Sequence, residues 1–397
     1  TFEPCLWDER MVGDDDSAPL PSFIGRTIND IFFFRNRLGF LADENIIMSR
    51  AGEFFNFFPS TVTQVLDDDP IDLSVSHVKV SLLRHAVPYH KSLLLFSDET
   101  QFMMTSDTVL APTDVKIDQT TEFSCSALCK PIGQGPNVFF VTPKGDYSAV
   151  LEYFVQDDTA SNDASDVTAH VPAYLPPNIH RIIGAMNEDI IFLISKDEPQ
   201  NIYFYKYYWS GDEKLQSAWG KFTIADDCEI EDGGIIETTI YLVVKRSDGF
   251  HLMSIDIEEG LEDENLGYQV LLDTRKKLTG VYDGGNGWTT WTLPVEDGTD
   301  EVYTVVKGDD WGTTSGSEIT GVTRPSTTTV RKTGDYSAHD CYVGKKYTSQ
   351  FTFSEQYVKQ DAEGNQSIIG GRLQLLDMVI YYADSAYFKV EVTPYKR

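Results

Sequence analysis

Read for hydrophobic and polar order, the chain repeats one short theme. An aromatic or β-branched run meets a tight polar turn, and a second run follows. Residues 30–58 show it most clearly, as DIFFF, RNR, LGFLA, DEN, IIMSR, AGE and FFNFF. This predicts four short strands in a meander, with FFNFF as the fourth. Looser copies are SLLLFS–DET–QFMMT (92–105), NVFFVT–PKGD–YSAVLEYFV (137–155), IIFLIS–KDEPQ–NIYFYKYYW (190–209) and TIYLVVKR–SDG–FHLMSIDI (239–257). The runs start near 31, 93, 138, 190 and 240, and the last three intervals are about 45–52 residues. Four-stranded units at roughly 40–50 residues are the mark of a β-propeller. In NIYFYKYYW, Ile202, Phe204 and Tyr208 fall on one side, and Tyr203, Tyr205, Tyr207 and Trp209 on the other. A strand apolar on both faces suits sheets packed face to face on both sides. Helical periodicity is nearly absent. The predicted fold class is all-β: a β-propeller-like domain of four-stranded units plus further antiparallel β modules.

Charge divides the chain further. The net charge of -30 splits as -23 over 1–258, -8 over 259–330 and +1 over 331–397. Together with the turn-rich RPSTTT at 324–329, this predicts four regions. Residues 1–29 are an N-terminal linker of a truncated chain, and 30–258 are the propeller-like domain. Residues 259–330, with YQVLLD, WTTWTLPV and EVYTVVK, are a β-rich segment or insertion. Residues 331–397 are a C-terminal antiparallel β module, in which Phe351 and Phe353, then Phe388, Val390 and Val392, share faces. Thr1 is not an initiator methionine and no signal-type segment follows, so a processed chain or a fragment is expected.

Composition removes several function classes. With 62 acidic against 32 basic residues, the chain is not built to grip phosphate backbones or anionic membrane. Its longest apolar runs are about five residues, too short for a membrane-spanning helix. Apolar residues at 41% are those of a globular protein. The five cysteines include no CxxC, and they read as free thiols of a reducing compartment. Asp14–Asp16 and Asp67–Asp69 lack calcium-loop spacing and read as solvated turns. The histidines, His77 among them, form neither HExxH nor HxH, and GxSxG and the phosphate-binding P-loop are absent. GGNG at 284–287 reads as a hairpin turn. No catalytic, cofactor or metal residue is predicted. Arg35, Arg37 and Arg50 stand out, because they sit near strand ends in an acidic chain. They predict ion pairing with neighbouring turns, or assembly contacts, that stabilise the first blade or join copies.

Residues 21–105 carry a resemblance. PSFIGRTINDIFFFRNRLGFLADENIIMSRAGEFFNFFPSTV, DDDPIDLSVS and KSLLLFSDETQFMM resemble the tail nozzle proteins (tail tubular protein B) of short-tailed phages. LLDTRKKLTGVYDGGNGWTTWTLP, CYVGKKYTSQFTFSE and GRLQLLDMVIYYADSAYFKVEV resemble the carboxy-terminal half of the same family. The resemblance implies a non-enzymatic structural virion protein with no cofactor. Its partners would be five further copies in a hexamer, the tail adaptor ring, the tail fibre protein, and phage DNA that passes without specific binding. It implies a place in the virion tail after assembly in the host cytoplasm, with no membrane anchor. It also implies that an N-terminal half of such a protein lies outside this chain. The alternative is a carbohydrate-binding or carbohydrate-degrading tail-associated propeller.

Overall fold

The structure is a computed structural model. It describes residues 3–75, 81–106, 109–155, 161–211, 213–224, 228–258, 260–299 and 301–353, and beyond them 358–359, 367–368, 370, 373–374, 376–381 and 389–392. His77 and Phe388 lie outside the described residues. Two compact units emerge, Thr1–Glu258 and Glu259–Arg397.

The first unit is a series of antiparallel sheets laid down in chain order. Sheet one holds β1 (Ile28–Phe34), β2 (Arg37–Ala42), β3 (Asn45–Met48) and β4 (Ile71–Ser74). Sheet two holds β5 (Leu83–Tyr89), β6 (Ser92–Ser97), β7 (Gln101–Thr105) and β8 (Lys116–Thr121). Sheet three holds β9 (Ile132–Gln134), β10 (Asn137–Lys144), β11 (Tyr147–Val155) and β12 (Asn162–Asp166). Sheet four holds β13 (Ile179–Ala185), β14 (Ile190–Ser195), β15 (Asn201–Ser210) and β16 (Glu213–Thr223). Sheet five holds β17 (Glu229–Ile236), β18 (Thr239–Arg246) and β19 (Gly249–Asp256). Every sheet is a meander, and the first strand of each lies beside the first strand of the next. This is the β-propeller-like, all-β architecture that the spacing predicts.

One device recurs in the first strands. A bulge skips Asn29 in β1, Arg84 in β5, His180 in β13 and Glu231 in β17. A bulge adds local twist and re-aims its neighbours. Here it brings polar groups onto the next sheet. The Asn29 amide donates to the Leu83 carbonyl at 2.8 Å, and the Ala86 N–H donates to the Asp30 carboxylate at 2.9 Å. His85 Nε2 lies 3.2 Å from the Ser126 carbonyl, and His180 Nε2 lies 3.0 Å from that of Glu231.

Packing follows the two-faced strands. One hydrophobic cluster joins sheets one and two, another two and three, another three and four, and another four and five. Tyr203, Tyr205 and Tyr207 face sheet three while Ile202 and Phe204 face sheet five, as the alternation predicts. Close packing also needs missing side chains. Phe32 lies across the cross-strand Gly39, where an added Cβ would sit 2.2 Å from the ring. Phe204 lies across Gly220 in the same way, at 2.3 Å.

Two expectations for this unit change. The fourth strand of sheet one is Ile71–Ser74 and not FFNFF. Residues 54–58 form an aromatic loop instead, in which Phe57 packs on Phe40. Residues 1–29 are not simply a linker. Trp7 packs against Phe40, Phe55 and Phe57, Phe23 packs against Phe40 and Phe57, and Ala18 is buried. These aromatic anchors hold the polar Gly-Asp-Asp-Asp stretch to the sheet.

The second unit is a sandwich. Its strands are β20 (Asp273–Thr279), β21 (Val281–Asp283), β22 (Trp288–Thr292), β23 (Tyr303–Lys307), β24 (Glu318–Ile319), β25 (Thr323–Ser326), β26 (Thr329–Thr333) and β27 (Asp340–Lys345). One sheet runs β20-β27-β23-β24 and the other β21-β22-β26-β25. Trp291, Val305, Val330, Cys341 and Val343 fill the space between them. The charge change near 330 therefore marks no boundary, because β26 pairs with β22 and β27 pairs with β20 and β23 across it. Charge reports on exposed positions, whereas the core faces decide the pairing. YQVLLD is not a strand up to residue 272; Val270 and Leu272 pack on Val306 and Tyr342. Of the separate antiparallel module expected over 331–397, residues 331–345 belong to this sandwich, and 354–357, 360–366, 382–388 and 393–397 lie outside the described residues. Beyond Lys345, the described residues hold one short pair, β28 (Val358–Lys359) with β29 (Ser367–Ile368).

Candidate assembly site around the buried arginine

The chemistry-bearing residues singled out in the sequence converge at one end of sheet one. Arg35 and Asn36 form the two-residue turn between β1 and β2, with φ of 44° and 61°. Two successive left-handed residues define the turn that matches strand twist, usually filled by Asn-Gly. Arg35 takes that conformation against its preference. Its Nη2 donates to the Lys91 carbonyl at 2.6 Å, and its guanidinium lies 5.5 Å from the Phe34 ring centre. Sheet one is thereby tied to the β5–β6 turn of sheet two.

Arg37, the next residue, is only 1% exposed. Its Nη1 donates to the carbonyls of Ser49 at 2.8 Å, Asp69 at 2.6 Å and Asp68 at 3.4 Å. Its Nη2 donates to those of Asp67 at 2.8 Å and Leu110 at 3.0 Å. A planar fork can serve divergent acceptors in this way where a compact ammonium cannot. Burial pushes the Arg37 pKa below its ordinary value, and the nearby charges of Asp68 and Asp69 oppose that. An arginine retains its proton under such a shift. The Asp67–Asp69 run is thus not a free solvated turn. Its backbone wraps the guanidinium, and Asp69 is itself buried, accepting from the Leu66 N–H at 2.8 Å and the Ser60 N–H at 3.3 Å.

Arg50 closes the constellation. It pairs with Asp68 and, at 2.6 Å, with Glu53, whose carboxylate also accepts from Asn56 at 3.0 Å. Arg37 and Arg50 share one network through Asp68, and Arg35 and Arg37 both bridge to sheet two. Between them opens a shallow depression of about 420 Å³ lined by Arg35, Arg37, Ala51, Asp67, Asp68, Val109 and Leu110. Sequence reasoning found the arginines but missed the role of the Asp67–Asp69 backbone and of Leu110. Carbonyl cages leave no residue-type signal.

Other candidates settle into structural roles. Asp14 forms a turn with Ser17, whose hydroxyl and N–H bonds hold the carboxyl below its usual range. GGNG is a turn in which Asp283 accepts from Gly285 and Asn286. None of the five cysteines is in a disulfide. Burial pushes the Cys125 thiol far up, and those of Cys129 and Cys341 up to about 12 and about 11, so they are poor nucleophiles. Among the described residues no group of His, Cys, Asp and Glu is placed to hold a metal ion, and no helix is long and apolar enough to cross a membrane.

The chain is similar to the tail tubular protein gp12 of Escherichia phage T7, at 31% identity over 98% of this chain and 50% of that protein. It thus spans about half the length of this curated relative. Among solved structures it is similar to Hsv2 of Kluyveromyces marxianus, with a TM-score of 0.38, 10% identity, and coverage of 71% of this chain and 80% of that one. It is also similar to the Nup170 NTD–Nup53 complex of Chaetomium thermophilum, with a TM-score of 0.41, 8% identity, and coverage of 83% and 60%. A family model described as bacteriophage nozzle protein matches residues 1–397, and the chain belongs to that family.

Proposed function

We propose that this chain is part of a non-enzymatic tail nozzle of a short-tailed phage. Six copies surround a channel that conducts the genome during ejection. They join the adaptor ring, help anchor the tail fibres, and assemble in the host cytoplasm before taking their place in the virion tail. The observation that carries this reading is the family match over the whole chain, with a relative whose name is tail tubular protein.

Two further observations support it. Phe351, Phe353, Leu376, Val379, Tyr381 and Val392 are large, apolar and exposed, in segments that read as strands yet join no sheet among the described residues. Apolar strand-type segments gain most by pairing with other chains, and a head-to-tail contact between identical copies closes rings. The acidity suits a conduit, because a wall of carboxylates raises the cost of phosphate contact and lets DNA slide. Imaging the full-length protein mixed with portal and adaptor by negative stain tests the proposal. A six-fold tapered tube on the adaptor is expected, and unassembled protein or a ring without an axial channel would refute it.

A further inference from the structure

The second unit encloses ionisable side chains that the proposed function does not use. Lys345 lies on β27 opposite Tyr303 of β23, and Asp297 lies in the connection between β22 and β23. Lys345 Nζ is 3.0 Å from Asp297 Oδ2, and the two side chains are only 7% and 2% exposed. The lysines of the Lys214–Glu152 and Lys277–Asp309 pairs are more exposed, at 19% and 41%. A third carboxylate is at hand, with Glu301 Oε2 3.7 Å from the same Nζ of Lys345. Asp297 is held from several sides. Its N–H donates to the Thr327 carbonyl at 3.0 Å, and its own carbonyl accepts from Arg324 Nη2 at 2.9 Å. Its Oδ1 accepts from the Gly298 N–H at 3.0 Å, and its Oδ2 accepts from the Tyr303 hydroxyl at 2.9 Å. The Tyr303 ring is fixed in turn by the Arg324 guanidinium, 4.4 Å from its centre. A buried ion pair carries a desolvation cost that its attraction only partly offsets. A neutral amide in its place carries no such cost, and groups locked in contact react as if at very high concentration.

We propose that Lys345 and Asp297 are a self-modification site, at which the two side chains condense to an intramolecular isopeptide bond. The Lys345 ammonium first gives a proton to Asp297 Oδ2, leaving an amine and a carboxylic acid in contact. Nζ then attacks Cγ, and the Nζ–Cγ bond forms. Glu301 takes a second proton from Nζ and returns it to the Oδ2 hydroxyl. The Cγ–Oδ2 bond breaks and one water leaves. Nζ thus enters with three protons and keeps one, the other two depart with the oxygen, and no oxidant is required. The Tyr303 hydroxyl donates to the departing oxygen. The Gly298 N–H donates to Oδ1, where negative charge develops during the attack and which stays as the amide oxygen. The product ties β27 covalently to the β22–β23 connection. Unlike a disulfide, such a tie forms in a reducing compartment. The proposal stands on this geometry alone and is independent of the channel reading.

The test is peptide mass mapping of the full-length protein, incubated at neutral pH, then denatured and cut with trypsin. A branched peptide is expected, in which the segments holding Lys345 and Asp297 are joined and their summed mass is lower by one water. Cleavage after Lys345 should be lost, whereas Lys214 and Lys277 should remain in linear peptides. Mass alone does not decide, because an Asp-Gly step such as Asp297–Gly298 also loses one water when it closes to a cyclic imide. Fragment ions that span the branch decide, and Lys345→Met should abolish the water loss. Glu301→Gln should yield the branched peptide about a hundredfold more slowly, and formation at the unsubstituted rate would overturn the proton route. Only linear peptides from the unsubstituted protein, or a water loss that persists in Lys345→Met, would overturn the bond itself. The first of these readings uses the unsubstituted protein and does not depend on the folding of any variant.

Discussion

Removing the Arg37 guanidinium should loosen the first sheet more than any surface substitution. Three of its five hydrogen bonds, those to Ser49, Asp69 and Leu110, are buried. Each buried carbonyl left without a donor costs about 1–3 kcal/mol. Arg37→Met also relieves the desolvation of a cation and keeps some apolar contact, which offsets part of that loss. The net expectation is about 3–5 kcal/mol, the range for stripping one side of a buried charged network. Arg37→Lys keeps the charge but cannot span carbonyls that diverge around two nitrogens. Losing two of the five bonds would cost about 2–3 kcal/mol. Arg35→Glu forfeits the Lys91 bond and the contact with Phe34 at an exposed site, about 1 kcal/mol. Most of the damage in an Arg35→Glu, Arg37→Glu double variant should therefore come from Arg37. In a two-unit chain global unfolding is not a clean readout. Native-state hydrogen exchange of the Leu38–Ala42 amides is the better assay, because it reports local opening. Arg37→Met should reduce their protection by about two to three and a half orders of magnitude, at 1.4 kcal/mol per tenfold. Arg26→Met, which breaks only the exposed pair with Asp43, should change it by less than about tenfold. Unchanged protection in Arg37→Met, or an equal loss in Arg26→Met, would refute the reasoning.

Other predictions are brief. Gly39→Ala pushes a methyl into the Phe32 ring and should cost about 1–3 kcal/mol in the opening of β2, read by the same exchange experiment. In the second unit, Asp297 pairs with the buried Lys345 at 3.0 Å and accepts from the Tyr303 hydroxyl at 2.9 Å. Asp297→Ala leaves that buried ammonium with the longer contact to Glu301 at 3.7 Å and should destabilise the sandwich by about 2–4 kcal/mol, seen as lost protection in β23 and β27. Burial holds His85 below its ordinary 6.5, although its bond to the Ser126 carbonyl opposes the shift. Its neutral form belongs to the folded state, so the contribution is complete above about pH 6.5 and is lost as pH falls through the folded value. Hydrogen-exchange protection of the β5 amides at decreasing pH should drop less steeply in His85→Gln than in the unsubstituted protein, and parallel curves would count against it.

The strands were legible where both faces pack. NIYFYKYYW shows apolar residues on both sides because its sheet has neighbours on both sides, and the recurrence of such runs revealed the propeller-like series. Non-local decisions were not legible. FFNFF has strand composition, yet IDLS takes the fourth place in sheet one because the ladder beside β3 is won by a segment more than twenty residues on. The change of charge near 330 reflects solvent-facing positions and says nothing of β27, which crosses back between β20 and β23. Arg35, Arg37 and Arg50 stood out as cations in an acidic chain, but ion pairing described only Arg50. Arg37 is held by backbone carbonyls, which every residue carries.

On the proposed function, carboxylates of this chain line a DNA conduit. Reconstructing the tail assembly by electron cryo-microscopy, to a resolution that assigns lumen side chains, tests it most directly. Six copies around an open axis with Asp and Glu predominating on the lumen wall are predicted. A lumen that is neutral or basic, or a ring whose acids all face outward, would contradict it.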